Sequence, residues 1–99
     1  MAKRVEGSAA SKTVEKTFII GNKLGLHARP AARFVGLASQ FTSTISVRKG
    51  QTQVNAKSIL DVLTLAATQG SKVTVTVSGV DAEKAMKAIM KLIQSDFGE

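Results

Sequence analysis

The chain has 99 residues and no cysteine, so disulfide bonds and cysteine metal sites are excluded. Its hydrophobic content of 43% favours one folded domain with a modest core, and no run of about 18 apolar residues is present to span a membrane. The net charge of +7 is uneven: residues 1–60 hold ten lysines or arginines and two acids, whereas residues 61–99 hold four lysines and five acids. This asymmetry indicates an acidic or polyanionic partner.

The first elements are predicted from a change in pattern near the N-terminus. Residues 1–13 are rich in Ala, Ser and Lys without periodicity, which predicts a flexible extension, and residues 14–99 are predicted to form the folded domain. Alternating apolar residues over 14–20 predict the first strand. A loop then leads into a helix predicted over about residues 28–39, where apolar residues recur at helical spacing.

A hairpin and a short helix are predicted next. Residues 44–49 and 52–55 read as two strands joined by a turn at Gly50. Ser58 and Asp61 match the helix-start pattern [ST]-x-x-[DE] and precede a short apolar run, which predicts a second helix that ends before Gln69.

The remaining residues predict a strand and a last helix. Val73, Val75 and Val77 alternate with threonine and serine, as in a strand with one buried and one solvated face. Asp81 is predicted to cap a helix with apolar residues on one face. The order β-α-β-β-α-β-α predicts an α+β domain in which helices cover one face of an antiparallel sheet.

The segment 25–32, Gly-Leu-His-Ala-Arg-Pro-Ala-Ala, holds the only histidine and the only proline of the chain. Proline is tolerated in the first turn of a helix, so Pro30 places His27 at the predicted N-cap. The free backbone N–H groups of Ala28 and Arg29 and the helix dipole favour an anion there, and the Arg29 guanidinium suits a phosphate. A lone histidine is more often structural, but this combination indicates a nitrogen that carries a phosphoryl group.

Two segments resemble one family. Residues 25–32 resemble the active-site segment of HPr, the histidine-containing phosphocarrier of the bacterial phosphotransferase system, and Lys57-Ser58-Ile59-Leu60 resembles the regulatory-serine segment of that family. The resemblance covers residues 14–95. It implies an open-faced, two-layer sandwich in which three helices cover one face of a four-stranded antiparallel sheet.

The resemblance also implies a carrier rather than a stand-alone enzyme. Enzyme I would transfer a phosphoryl group from phosphoenolpyruvate to His27, through Nδ1 in the family, and a IIA protein or domain would then accept it. Arg29 and the backbone N–H groups of Ala28 and Arg29 would stabilise the phosphoryl group. We expect a cytoplasmic monomer with no cofactor, no metal and no contact with a membrane.

The second helix has two interpretations. Ser58 is an ordinary N-cap, or, as the resemblance implies, a site phosphorylated by HPr kinase/phosphorylase, although the Asp61 carboxylate one turn away would repel a phosphate. Ile59, Leu60 and Leu63 are either core residues or an exposed apolar patch that docks on partners, as in the family. The basic residues expected to form a rim for acidic partners are Lys57, Lys23 and Arg33.

Other functions are also considered. The lead-in Asn22-Lys23-Leu24-Gly25 resembles the nitrogen-related paralogue of HPr, so sugar transport and nitrogen regulation both stay open. The net charge of +7 is also compatible with a nucleic-acid-binding module. However, the chain has only four phenylalanines and no tryptophan or tyrosine for base stacking, so we expect no nucleic-acid partner. A regulatory relative that carries no phosphoryl group is disfavoured because His27 is present.

Overall fold

A computed structural model describes residues 11–99. The elements in chain order are β1 (Lys12–Ile19), α1 (Ala28–Ala38), β2 (Thr44–Lys49), β3 (Thr52–Asn55), α2 (Ile59–Thr64), β4 (Lys72–Gly79), α3 (Ala82–Gln94) and a 3-10 turn (Asp96–Gly98). The strands form one sheet in the order β1-β4-β2-β3, with every neighbouring pair antiparallel. The predicted α+β order and the open-faced sandwich are confirmed.

One face of the sheet and the inner faces of the helices form the core. Val75 and Val77 of the central strand β4 are fully buried, and they share one cluster with Phe34 of α1, Val62 of α2 and Ile89 of α3. Burial of each such side chain contributes about 1.5–3 kcal/mol to folding. The apolar periodicity of the sequence therefore identified the faces of the helices and strands that pack together. None of the helices within residues 11–99 is long and apolar enough to cross a membrane.

Strand β1 begins at Lys12, two residues earlier than the apolar pattern predicts. Lys12 pairs with Gly79 and Thr13 pairs with Ser78 in the sheet register. The Thr13 and Ser78 hydroxyls are hydrogen-bonded at 2.7 Å, so backbone pairing continues where no apolar side chain marks it. Residues 12 and 13 therefore belong to the sheet and not to the extension, while residues 1–10 of that predicted extension lie outside the described residues.

Asp81 stands at the N-cap of α3, as predicted, but its side chain makes no capping hydrogen bond. Its carboxylate instead accepts hydrogen bonds from the backbone N–H groups of Thr42 (2.9 Å) and Ser43 (3.0 Å) and from the Ser43 hydroxyl (2.5 Å). The Ser43 hydroxyl and the Thr42 N–H lower the pKa of Asp81 to about 2. The carboxylate thus fastens the loop after α1 to the start of α3.

The outer face of the sheet is polar but only partly solvated. Thr74 of β4 is 8% exposed because β4 has a neighbour on each side, with Thr17 and Arg48 at the same register position. The hydroxyl oxygens of Thr74 and Thr17 lie 2.9 Å apart. The expectation of a solvated face along this strand is therefore wrong at Thr74, since neighbouring side chains cover a central position.

Candidate functional site

His27 is the N-cap of α1, as the sequence predicts, and its backbone is extended, with φ −83° and ψ −171°. The first helical hydrogen bond runs from the Ala31 N–H to the His27 carbonyl at 3.0 Å. The N–H groups of Ala28 and Arg29 precede it and have no helical partner. Two backbone donors and the positive end of the helix dipole therefore lie at the residue that carries the imidazole.

The loop before His27 is fixed by hydrogen bonds within itself and by one hydrogen bond to the segment after α2. The Asn22 side chain donates to the Gly25 carbonyl at 2.6 Å, and the Gly25 N–H donates to the Asn22 carbonyl at 3.1 Å. The Leu26 N–H donates to the Ala67 carbonyl at 2.8 Å, and the Leu26 side chain is buried. The ring of His27 is thus presented by a rigid turn that is joined to the segment after α2.

The two ring nitrogens of His27 have different surroundings. Nε2 is shielded from solvent and has no hydrogen-bond partner within residues 11–99. Nδ1 is not enclosed in this way and makes no capping bond to the helix. Nε2 is therefore the less accessible of the two ring nitrogens to a reactant that approaches from solvent.

Glu99 is a residue of this site that the sequence analysis missed. Its carboxylate lies 3.5 Å from His27 Nε2, 3.7 Å from Arg29 Nε and 3.2 Å from Arg33 Nη1. The 3-10 turn brings it there after α3, and Gly98 with φ +76° is part of that turn. Gly98 is the only sequence signal of the turn, and a glycine near the end of a chain does not by itself indicate a contact with residue 27.

The expected basic rim is partly used by the fold itself. Arg33 donates to the Phe97 carbonyl at 2.7 Å, and Lys57 Nζ donates to the Phe41 carbonyl at 2.6 Å. Lys23 is exposed in the loop before His27, and Arg29 has a side chain that is 67% exposed. The cations that the structure leaves open to a partner beside His27 are therefore Lys23 and Arg29, whereas Arg33 and Lys57 hold backbone carbonyls.

Ser58 is the N-cap of α2, and its hydroxyl accepts a hydrogen bond from the Asp61 N–H at 3.3 Å. Lys57 reaches Phe41 beyond the end of α1, whereas the Ala67 carbonyl after α2 binds Leu26 before α1. Helices α1 and α2 therefore run in opposite directions, and Ser58 lies at the end away from His27. The Asp61 side chain does not complete a capping box, because its carboxylate accepts from the Asn55 N–H at 3.4 Å.

The three candidate docking residues of α2 differ in burial. Leu60 is 74% exposed and Ile59 is 37% exposed, so neither is a core residue. Leu63 is half-buried and packs against the core. Helix α2 thus presents an apolar surface led by Leu60, while Val62 on its other face is fully buried.

No cluster of three or more histidine, cysteine, aspartate or glutamate side chains is placed to hold a metal ion within the part of the chain that the structure describes. The Glu99 carboxylate lies beside His27 and also within ion-pair distance of the Arg29 and Arg33 guanidinium groups. The two guanidinium groups and the helix start favour an anion, so this part of the arrangement suits a phosphoryl group.

Comparisons with known proteins agree with this chemistry. A family model described as "PTS HPr component phosphorylation site" matches residues 14–95. The phosphocarrier protein HPr of Cupriavidus necator is 44% identical over 86 residues, which are 87% of this chain and 97% of that protein. The crystal structure of HPr-C-His from Thermoanaerobacter tengcongensis has a TM-score of 0.84 at 51% identity, covering 87% of this chain and 97% of that one.

The crystal structure of the phosphocarrier protein HPr of Bacillus anthracis str. Ames has a TM-score of 0.79 at 43% identity, covering 83% of this chain and 98% of that one. The family match includes the His27 segment, α2 and β4. The chain therefore belongs to the HPr family and is a phosphocarrier protein of the phosphotransferase system rather than a stand-alone enzyme.

Proposed function

We propose that His27 carries the phosphoryl group of this phosphocarrier on Nδ1. The observation that carries the proposal is the position of His27 at the N-cap of α1, with Nε2 shielded from solvent and no capping hydrogen bond from the ring. Attack by the Nδ1 lone pair forms the N–P bond while the bond from phosphorus to the donor breaks. The donor keeps the electron pair of the broken bond, and a IIA acceptor later repeats the exchange in the opposite sense.

Arg29 and the helix start stabilise the transferred group. The N–H groups of Ala28 and Arg29 have no helical partner, and the Arg29 guanidinium is largely exposed beside the ring. Each such contribution is about 0.3–1 kcal/mol at an exposed site, which is enough to favour the phosphoryl anion without trapping it. A carrier needs this balance because it must release the group to the next protein.

Enzyme I and IIA components are the general partners of this family, and α2 is the surface on which they dock. Leu60 is 74% exposed and Ile59 is 37% exposed, and the half-buried Leu63 borders them. Lys23, which is exposed in the loop before His27, adds positive charge for acidic partner surfaces, and Lys57 and Arg33 keep their charge while they bind backbone carbonyls. Exposed apolar residues rimmed by polar ones are typical of docking sites.

Ser58 is the candidate for regulatory phosphorylation by HPr kinase/phosphorylase. It lies at the N-terminus of α2 next to Leu60, so a phosphate there would add negative charge to the docking surface. The adjacent Asp61 opposes such a phosphate by like-charge repulsion. Incubation with the kinase and ATP, followed by peptide mapping, tests this role, and an unlabelled Ser58 would leave the residue as an N-cap alone.

In this proposal the protein acts as a monomer. The pathway that it serves is the sugar-transport branch. Its support is that relatives covered almost in full, including that of Cupriavidus necator, are phosphocarrier proteins named HPr. Nitrogen regulation is the alternative, supported by the lead-in at residues 22–25. The phosphorylated protein should therefore be offered separately to sugar-specific and nitrogen-type IIA acceptors, and the faster acceptor identifies the branch.

The direct test of the carrier residue uses phosphoenolpyruvate, Enzyme I and the His27→Ala variant. The wild-type protein should acquire an acid-labile label, and the variant should acquire none while keeping its circular dichroism spectrum and melting temperature. Undiminished label in the variant would falsify the assignment of His27.

A further inference from the structure

The C-terminal turn is built to hold Glu99 against His27. Phe97 is 1% exposed, and its ring meets the Phe34 ring edge-on at a centroid distance of 6.4 Å. Asp96 and Phe97 have φ of 55° and 57°, values that side-chain-bearing residues adopt only when the surroundings require them. Arg33 donates to the Phe97 carbonyl at 2.7 Å. The buried ring and this hydrogen bond fix where the next two residues lie.

The Glu99 side chain is well placed to act on the imidazole. It is 20% exposed, and Oε1 lies 3.5 Å from the shielded Nε2 of His27. Its other oxygen, Oε2, lies 3.2 Å from Arg33 Nη1. Residues 96–99 fall outside the residues 14–95 that the family model matches.

We propose that Glu99 is a positioning residue that keeps the proton of the neutral His27 ring on Nε2. The proposal rests on the proposed role of His27 as the phosphoryl carrier. A neutral imidazole has one N–H, and the nitrogen without it has the nucleophilic lone pair. A carboxylate beside Nε2 favours the tautomer with the proton there, which leaves the lone pair on Nδ1, the open nitrogen.

The same carboxylate helps during transfer. When Nδ1 attacks phosphorus, the N–P bond forms and no proton leaves the ring, so the ring gains positive charge. The bond from phosphorus to the donor breaks, and the donor retains its electron pair. Glu99 next to Nε2–H stabilises the charge that develops on the ring, in the way that a carboxylate orients and stabilises the histidine of a catalytic triad.

A competing role for Glu99 is a blocking anion that occupies the phosphoryl position. The geometry opposes this role because Oε1 faces Nε2 and not Nδ1. Arg29 meets Oε2 only through Nε, at 3.7 Å, and its side chain stays 67% exposed. The terminal nitrogens of Arg29 make no ion pair within residues 11–99 and therefore stay available for a phosphoryl group.

The tautomer is measured first, on the unphosphorylated protein, by the 15N chemical shifts of the His27 ring at neutral pH. Glu99→Ala should shift the ring from the Nε2–H form towards a mixture with the Nδ1–H form. Glu99→Gln keeps an oxygen acceptor and should retain the Nε2–H form. Glu83→Ala is the matched control, because Glu83 is a surface glutamate that is paired with Lys12, the first residue of β1, and not with His27. An unchanged tautomer in Glu99→Ala would overturn the proposal.

The rate of phosphoryl transfer from Enzyme I is then measured for the same variants. Glu99→Ala should be roughly threefold to fivefold slower, as for the loss of one partly exposed charged contact, and Glu99→Gln should fall between it and wild type. Faster transfer in Glu99→Ala would overturn the proposal and identify a blocking anion. If His27 of the wild type acquires no label, the proposed function fails instead, while the tautomer measurement still decides the role of Glu99.

Discussion

Arg29 is exposed in the first turn of α1, next to the proposed carrier His27, so we propose that it acts in phosphoryl transfer rather than in folding. Its guanidinium has one ion-pair contact within residues 11–99, the 3.7 Å approach of Nε to Glu99. We expect Arg29→Ala to slow phosphoryl transfer about tenfold in both directions, because the charge on the moving group loses its nearest cation. Stability should change by no more than about 0.5 kcal/mol, as is usual for an exposed side chain.

Rapid-quench transfer assays and thermal melting separate these effects. Arg48→Ala is the control, since Arg48 lies on the outer face of the sheet, away from His27. A loss of stability with normal transfer kinetics would make Arg29 a structural residue.

Asp81 provides a test of stability against pH. Its pKa falls from 3.8 to about 2 on folding, chiefly through the Ser43 hydroxyl. Since the folded pKa is the lower one, the stabilisation is fully present above about pH 4 and is lost as the pH falls towards about 2. Asp81→Asn should therefore unfold at lower urea concentration at pH 7 and show a shallower loss of stability between pH 4 and pH 2. An unchanged pH profile would show that the loop at Thr42 and Ser43 does not depend on the carboxylate.

Helix α2 is the proposed docking surface and also contributes side chains to the core, so substitutions within it can test the two roles separately. Leu60→Glu should weaken the complexes with Enzyme I and the IIA acceptor with little change in melting temperature, because Leu60 is 74% exposed. Leu63→Glu should weaken the complexes and also lower the melting temperature, because Leu63 packs against the core. Loss of a buried leucine typically costs about 2–5 kcal/mol, and a half-buried one costs less.

Binding titrations and melting curves on the same samples check both expectations. Val80→Glu is the matched control, since Val80 is 70% exposed in the turn between β4 and α3. Equal weakening by Val80→Glu and Leu60→Glu would attribute the effect to net charge and remove the docking role of α2.

At the scale of the whole molecule, the loop before His27 lies in close contact with the segment after α2. Gly25 has φ +70°, and a Cβ there would overlap the Ala67 carbonyl and lie 2.8 Å from Thr68 Cα. Gly25→Ala should destabilise the domain by about 1–3 kcal/mol from backbone strain alone, with a further loss from the overlap, and should slow transfer by moving His27. Urea unfolding and labelling by Enzyme I measure the two effects.

Gly36→Ala is the control with the opposite expected sign. Gly36 lies within α1, and nothing stands within 4 Å of an added Cβ. Alanine should stabilise the helix there by roughly 0.5–1 kcal/mol. Equal behaviour of the two variants would show that the contact between the loop and the segment after α2 is not specific.

The sequence by itself determined the order of elements, the faces that form the core and the position of His27 at a helix start. These features follow from local patterns: alternation in β4, helical spacing in α1, and Pro30, which is compatible with the first turn of a helix. The match of two segments to HPr added the fold and the carrier function, because both segments stand in one short chain at a characteristic spacing.

Only the tertiary structure decided which side chains meet across the chain. Asp81 binds Ser43, Lys57 binds Phe41, and Glu99 approaches His27, and each contact joins residues that are more than 15 positions apart. No local pattern encodes such pairs, since they depend on how the helices pack on the sheet and on the backbone at Phe97. The tertiary structure therefore decided which nitrogen of His27 is shielded and which cations stay open to a partner.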